Sequence, residues 1–349
     1  MIALSTEHWL HQQPAPTSTG TIKSSYADFI VREELGYELT GEGEHIHLWI
    51  QKEGLNTAFV AEHLAKFCGL PLRAITYAGR KDKYALTQQW FGVHAPGKQT
   101  FEWQNLRLDG LNILESKRHN KKLRVGALKG NRFEMVVRGV SDTSQLEQRL
   151  EYIQQNGVPN YFGAQRFGES RHHQSGGNLL LAQTMLNGET IRNRNKRSMA
   201  ISALRSWLFN EFIHQRLQQQ NYSTPLSGEA CILTGSNSFF IASQIDAETQ
   251  LRLTKNDIVL SAPMWGAGDL ATQGEVKELE QQIAKQHLNV CQLLESLGLK
   301  QERRAICLKP QNLQWQISSD TLNIQFSLPA GCFATSVLRE LINANTAEQ

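Results

Sequence analysis

Cysteine, proline and long apolar runs are scarce in this chain. Its five cysteines (Cys68, Cys231, Cys291, Cys307, Cys332) are odd in number and scattered, with no Cys-x-x-Cys and no histidine at ligand spacing. That pattern excludes a disulfide framework and a structural zinc. The pair His172-His173 offers no metal site either, because adjacent residues on a helix or strand point apart. No run approaches the ~18 apolar residues of a membrane span. The amino terminus, Met1-Ile2-Ala3-Leu4-Ser5-Thr6-Glu7-His8, has no cationic segment followed by an apolar one. The expectation is a cytoplasmic protein with no membrane contact. Nine prolines and 26 glycines in 349 residues give neither a collagenous nor a disordered composition.

Nucleotide and hydrolase signatures are missing too. Gly126-Ala127-Leu128-Lys129-Gly130-Asn131 is too short for a P-loop and has no Lys-Ser/Thr after its second glycine. Trp265-Gly266-Ala267-Gly268-Asp269 lacks the third glycine of a dinucleotide fingerprint. No Gly-x-Ser-x-Gly occurs, so a serine hydrolase is disfavoured along with ATP and NAD.

What is present begins with length. At 349 residues the chain exceeds the roughly 250–300 that one core supports, so at least two domains are expected. Net charge is only +3, but its distribution is uneven. Between Glu115 and Arg138 stand eight cations (Lys117, Arg118, Lys121, Lys122, Arg124, Lys129, Arg132, Arg138) against two acids, and Arg192-Asn193-Arg194-Asn195-Lys196-Arg197 adds four more. Two such runs with asparagine interleaved fit a phosphate backbone.

Apolar alternation in Phe29-Ile30-Val31 and in His45 to Ile50, broken by glycines, predicts a hairpin pair. Asn56-Thr57 opens a helix that Gly69 closes as a left-handed cap. Phe133, Met135 and Val137 mark a strand entered through a Gly130-Asn131 turn. Helical spacing over Ser198 to Gln218 and Val276 to Leu297 gives a helix-rich middle. Pro159 to Gly168 and Gly176-Gly177-Asn178 are too rich in glycine for a long helix. Strand patterns return at Trp315-Gln316-Ile317 and Leu322 to Phe326, before a short helix from Ser336 to Asn343. The order β-rich, helix-rich, β-rich is that of a domain inserted into another.

Between the strand-like Ile75-Thr76-Tyr77 and Trp90 to Val93 lies Gly79-Arg80-Lys81-Asp82-Lys83-Tyr84-Ala85. Its single carboxylate, Asp82, is fenced by three cations. Such a fence keeps the acid charged and attracts phosphate, as a nucleophile or base acting on a polyanion requires. A solvated loop of alternating charge would read the same way from these seven residues.

Longer motifs decide between them. Gly79-Arg80-Lys81-Asp82, His119 to Leu123 running on through Gly126 to Phe133, Pro159 to Gly168, Ser261 to Gly266 and Leu328 to Thr335 together resemble the TruD family of tRNA pseudouridine synthases, in order and over nearly the full chain. The resemblance implies an α+β fold: a catalytic core with a mixed, mainly antiparallel sheet, formed by residues 1–156 and 306–349, and an inserted α/β domain, 157–305. It implies isomerisation of uridine 13 of the D-arm of tRNA without metal or organic cofactor, with tRNA as the partner and no obligate protein partner. It places the catalytic aspartate on Asp82 and uridine contacts on Phe29, Asn131 and Phe333. Phe133 would stack nearby, where related synthases carry tyrosine. Lys23, Lys81 and Arg166 are candidate phosphate or carboxylate partners. A non-catalytic RNA-binding or chaperone protein is the alternative of another class; it has no use for a carboxylate at Asp82.

Overall fold

The computed structural model describes residues 4–97, 99–168 and 176–347. His172 and His173 lie outside them. The chain divides into two compact units: Pro16–Gln154 with Pro310–Ala334 and Leu341–Gln349, and a middle unit of Gln155–Lys309 with Met1–Ala15 and Thr335–Glu340. The divisions within the chain fall at 154/155 and 309/310, a few residues from the expected 156/157 and 305/306. The two short segments 1–15 and 335–340 group with the middle unit, although the expected scheme put them in the core.

Strands β1 (Thr19–Ile22), β2 (Phe29–Leu35) and β3 (His45–Lys52) are followed by helix α1 (Thr57–Cys68), β4 (Ile75–Tyr77), β5 (Leu86–His94), β6 (Leu111–His119), β7 (Leu128–Val137) and α2 (Leu146–Asn156). The middle unit contributes β8 (Val158–Pro159), α3 (Ala164–Phe167), α4 (Gly177–Leu186), α5 (Arg194–Gln218), β9 (Glu229–Leu233), β10 (Phe239–Ala242), α6 (Ala247–Thr254), β11 (Ile258–Met264), α7 (Gly274–Gln286), α8 (Leu288–Ser296), β12 (Glu302–Ala305) and β13 (Cys307–Leu308). Then come β14 (Gln311–Ser318), β15 (Thr321–Pro329), α9 (Ala334–Leu341) and β16 (Asn343–Thr346).

The first unit is built on an eight-stranded sheet of order β14-β15-β7-β2-β5-β3-β6, with β4 also paired to β5. Every pairing in it is antiparallel except β2 with β5. It is the mixed, mainly antiparallel sheet expected. The expected β2–β3 hairpin does not form, because β5 lies between the two strands and takes hydrogen bonds from both. Gly130 and Asn131 are not a turn either. They sit inside β7, with Asn131 opposite Glu33 on one side and Leu328 on the other. A side chain at Gly130 would collide with the Leu328 carbonyl, so glycine is needed there for close strand packing rather than for a bend.

Helix α1 covers one face of the sheet. Val60 and Leu64 pack on Ile46, Leu48, Ile50, Phe91 and Val93, and Gly69 ends the helix at φ +64° as expected. On β3, the His47 side chain is fully buried, its Nε2 3.2 Å from the Tyr37 hydroxyl and its ring 5.2 Å from that of His119. Burial, then the neighbouring His119 and His45, bring its pKa down from 6.5 to about 4. The unfolded chain therefore binds this proton first as pH falls. Stability should drop by of order 1–3 kcal/mol between pH 6.5 and 4, and level off below. Urea denaturation across that range checks this; His47→Leu should flatten the profile.

The middle unit is less helical than its periodicity suggests. A four-stranded antiparallel sheet, β10-β9-β11-β12, runs through it. Helix α5 starts four residues before the predicted Ser198, capped by the Asn193 side chain, which accepts from the Lys196 amide at 3.0 Å. The predicted helix over 276–297 is two helices that meet at His287. Gly177 and Asn178 begin the ten-residue α4. The amino-terminal segment is tied in by Trp9, whose Nε1 donates to the buried Glu211 carboxylate at 2.6 Å.

Candidate active site

Asp82 sits on the connection between β4 and β5, in the first unit. Three other elements fix this loop through its main chain. The Gln89 side-chain amide on β5 donates to the Gly79 carbonyl at 2.6 Å. Thr57, at the start of α1, accepts from the Lys81 amide at 3.0 Å and donates to Gln89 at 3.1 Å. Lys52, the last residue of β3, donates to the Asp82 carbonyl at 3.2 Å and to the Leu55 carbonyl at 2.8 Å. Lys52 is fully buried, and burial brings its pKa from 10.5 down to about 8 against the pull of Asp82.

The Asp82 carboxylate is engaged at both oxygens. Oδ1 accepts from the Tyr84 amide at 3.0 Å, and Oδ2 forms an ion pair with Lys23. Lys23 has φ +58°, a left-handed conformation uncommon for a side chain of its size. Its ammonium stands 4.7 Å from the centre of the Phe29 ring. The cation at the carboxylate thus comes from 59 residues upstream, not from the loop.

That corrects the picture of a carboxylate fenced by its chain neighbours. Lys81 turns away to the buried Glu33 at 2.6 Å, Lys83 lies over the Tyr84 ring at 5.4 Å, and Arg80 is exposed. Glu33 also accepts from the Trp90 amide at 2.8 Å. Burial pushes its carboxyl upward, and Lys81 pulls it back.

Phe29, Val31 and Glu33 on β2 share a buried face, opposite Met135, Phe133 and Asn131 on β7. Phe29 and Phe133 meet edge to face, ring centres 6.5 Å apart, and Phe133 also packs on Phe326. Asn131 is 8% exposed, and its Oδ1 has no hydrogen-bond partner among the described residues. Lys23 therefore touches both Asp82 and Phe29, Phe133 adjoins Phe29, and Asn131 stands two residues along the same face. Phe333 is half-buried in the segment between β15 and α9. Arg166 belongs to the middle unit, where it donates to Ser202 at 2.9 Å.

Glu33 and Lys52 escaped the reading of the chain, yet both carried a signal. Each occupies the apolar face of an alternating strand: Glu33 follows Phe29 and Val31, and Lys52 follows Ile46, Leu48 and Ile50, at period two. A charge on a core face must be paired.

Among the eight cations from Lys117 to Arg138, three serve the fold. Arg118 donates to the Gly43 carbonyl at 2.7 Å, Arg132 to Gln325 at 3.1 Å, and Arg138 pairs with Asp28 at 2.7 Å. Lys117, Lys121, Lys122, Arg124 and Lys129 are exposed and make no ion pair among the described residues. The four cations from Arg192 to Arg197 are exposed as well, around the first turn of α5.

The model of the family described as tRNA pseudouridine synthase D (TruD) matches residues 6–191 and 182–341. Proteins named tRNA pseudouridine synthase D are similar over nearly their whole length. That of Pseudoalteromonas atlantica is 52% identical over 98% of this chain and 97% of its own. That of Shewanella oneidensis is 48% identical over 96% and 89%. A crystal structure of the putative TruD from Methanosarcina mazei superposes with a TM-score of 0.72 over 96% of each chain at 20% identity, which shows the same fold.

Proposed function

Because the chain belongs to the TruD family of tRNA pseudouridine synthases, we propose that it isomerises uridine 13 in the D-arm of tRNA, with Asp82 acting on the reacting nucleoside. The reaction breaks the C1'–N1 bond, turns the uracil while it stays bound, and joins C1' to C5. The C5 proton is lost and N1 gains one, so no external reagent is consumed. A carboxylate can assist by adding to the base, by trapping C1' or by removing a sugar proton, and each route needs an anion at one fixed point.

The observation that carries this reading is the fixation of Asp82. Its two oxygens and its carbonyl are each held by a different donor, and the lysine on Oδ2 also lies against Phe29. Such preorganisation serves chemistry on a target base held outside its stack. Phe29 and Phe333 would line the pocket for the extruded uracil, with Phe133 behind Phe29. The unpaired Asn131 Oδ1 would accept from uracil N3–H, the donor it lacks in the protein. Catalysis is assigned to the eight-stranded unit, and the exposed cations of both units to tRNA phosphates. The test is to incubate the purified protein with unmodified tRNA and map pseudouridine by position. Modification at 13 is expected; none, or modification elsewhere, would contradict the proposal.

The electrostatic part has its own check. Lys121→Ala/Lys122→Ala should weaken tRNA binding and reduce the slope of log K against log salt by about 1–2, the loss of one or two phosphate contacts. Filter binding at several salt concentrations measures it; an unchanged slope would place these lysines off the RNA.

A further inference from the structure

A recess lies beside the Asp82 loop in the same unit, and nothing in the proposed chemistry uses it. It is a cleft of about 460 Å³ between α1, β4 and the basic segment that follows β6, within the range of ~300–1,000 Å³ of pockets that take small ligands. Its floor is apolar, with Ala61, Ile75 and Leu123. Leu72 and Val125, at 50% and 84% exposed, leave unusual apolar surface at its mouth. Tyr77 supplies a half-buried aromatic face. Lys122 and Arg124 line it too; both are exposed and free of ion pairs among the described residues. Glu62 is the one acid among the lining residues.

The walls are fixed. Leu123 is 1% exposed and packs where Gly92 has no side chain, so the segment is pinned between its two cations. Ala58, on the α1 wall, follows Thr57, which holds the Lys81 amide of the catalytic loop at 3.0 Å. The cleft and that loop therefore share a support.

We propose that this cleft seats an unstacked nucleotide of the substrate RNA other than the target uridine. The inference rests on the tRNA reading above and extends it. An apolar floor with one aromatic ring suits a nucleobase face, and the two cations suit its phosphate. Glu62 sets the polarity. A carboxylate repels phosphate and accepts only from donors, so it faces the base edge, and a base with two adjacent N–H groups, as in guanine, satisfies both of its oxygens. The site thereby selects the nucleotide context of the target.

Two variants fill or charge opposite walls. Ala58→Trp occupies the cleft from an exposed helix position, and Val125→Glu puts an anion on the exposed turn. Steady-state kinetics on tRNA should show each raising KM about tenfold, more than it lowers kcat. Single abasic nucleotides are then introduced along the tRNA. One position outside the target should cost the wild-type protein about tenfold in kcat/KM and cost Ala58→Trp nothing further, because both changes remove the same base–cleft contact. An active wild-type protein with KM unchanged in both variants, or with additive abasic losses at every position, overturns the seat alone. An inactive wild-type protein overturns the proposed function and this inference with it.

Discussion

Asp82→Asn should reduce pseudouridine formation by about 10⁴-fold or more while tRNA affinity stays within about tenfold of the wild-type value. The substitution keeps size and shape but loses the negative charge and one acceptor. In the native loop both carboxylate oxygens accept, one from the Tyr84 amide and one from the Lys23 ammonium. An amide cannot serve both. If its oxygen faces Lys23, its NH₂ meets the Tyr84 amide; in the other orientation it meets the ammonium. Either way two donors face each other and Lys23 loses its counter-charge. The loop itself should stay in place, because Gln89, Thr57 and Lys52 hold it by main-chain groups that the mutation leaves alone. On the proposal that the exposed cations hold the tRNA phosphates, binding survives. Single-turnover assays with excess protein, alongside filter binding, separate the two quantities. Turnover within tenfold of wild type would remove Asp82 from the chemistry; a matching collapse of affinity would make its role one of binding.

Local structure was legible along the chain and the assembly of strands was not. The start of α1 and its Gly69 cap, the strands flanking Asp82 and the strands β14 and β15 follow from short-range residue patterns, and all are present. The placement of β5 between β2 and β3 depends on a parallel pairing of residues more than fifty positions apart, which alternation within each strand cannot specify. The same limit explains Asn131: a Gly-Asn pair reads as a turn unless the partner strands on both sides are known. At the candidate site, charge context singled out Asp82 and the longer motifs favoured it, but the context was assigned to the wrong cations. Sequence neighbours on a tight connection point in different directions, so Lys81 and Lys83 leave the carboxylate and Lys23 arrives from another strand's approach. Glu33 and Lys52 were visible as charges on apolar faces, a pattern that becomes a functional clue only when the nearby loop is in view.

Lys81→Met should be the most destabilising single change near the site, by about 3–5 kcal/mol, because it leaves the Glu33 carboxylate buried without its partner. The Glu33 side chain is fully inaccessible and that of Lys81 nearly so, with 2.6 Å between Nζ and Oε1. Methionine nearly matches the length of lysine, so packing changes little and the loss is electrostatic. Glu33 already has its carboxyl pushed upward by burial and held back chiefly by Lys81. Without the lysine it takes up a proton in the folded state at higher pH than in the wild-type protein. The stability deficit of the variant should therefore be largest at neutral pH and shrink as pH falls towards the ordinary carboxylate range, where the unfolded chain is protonated too. Adding Glu33→Gln should recover most of the loss, since the neutral amide keeps an oxygen for the Trp90 amide and needs no counter-charge. Urea denaturation of the single and double variants between pH 5 and 8 gives all three numbers. A Lys81→Met variant as stable as wild type at pH 8 would mean that Glu33 is already neutral in the native protein, and the double variant would then show no rescue.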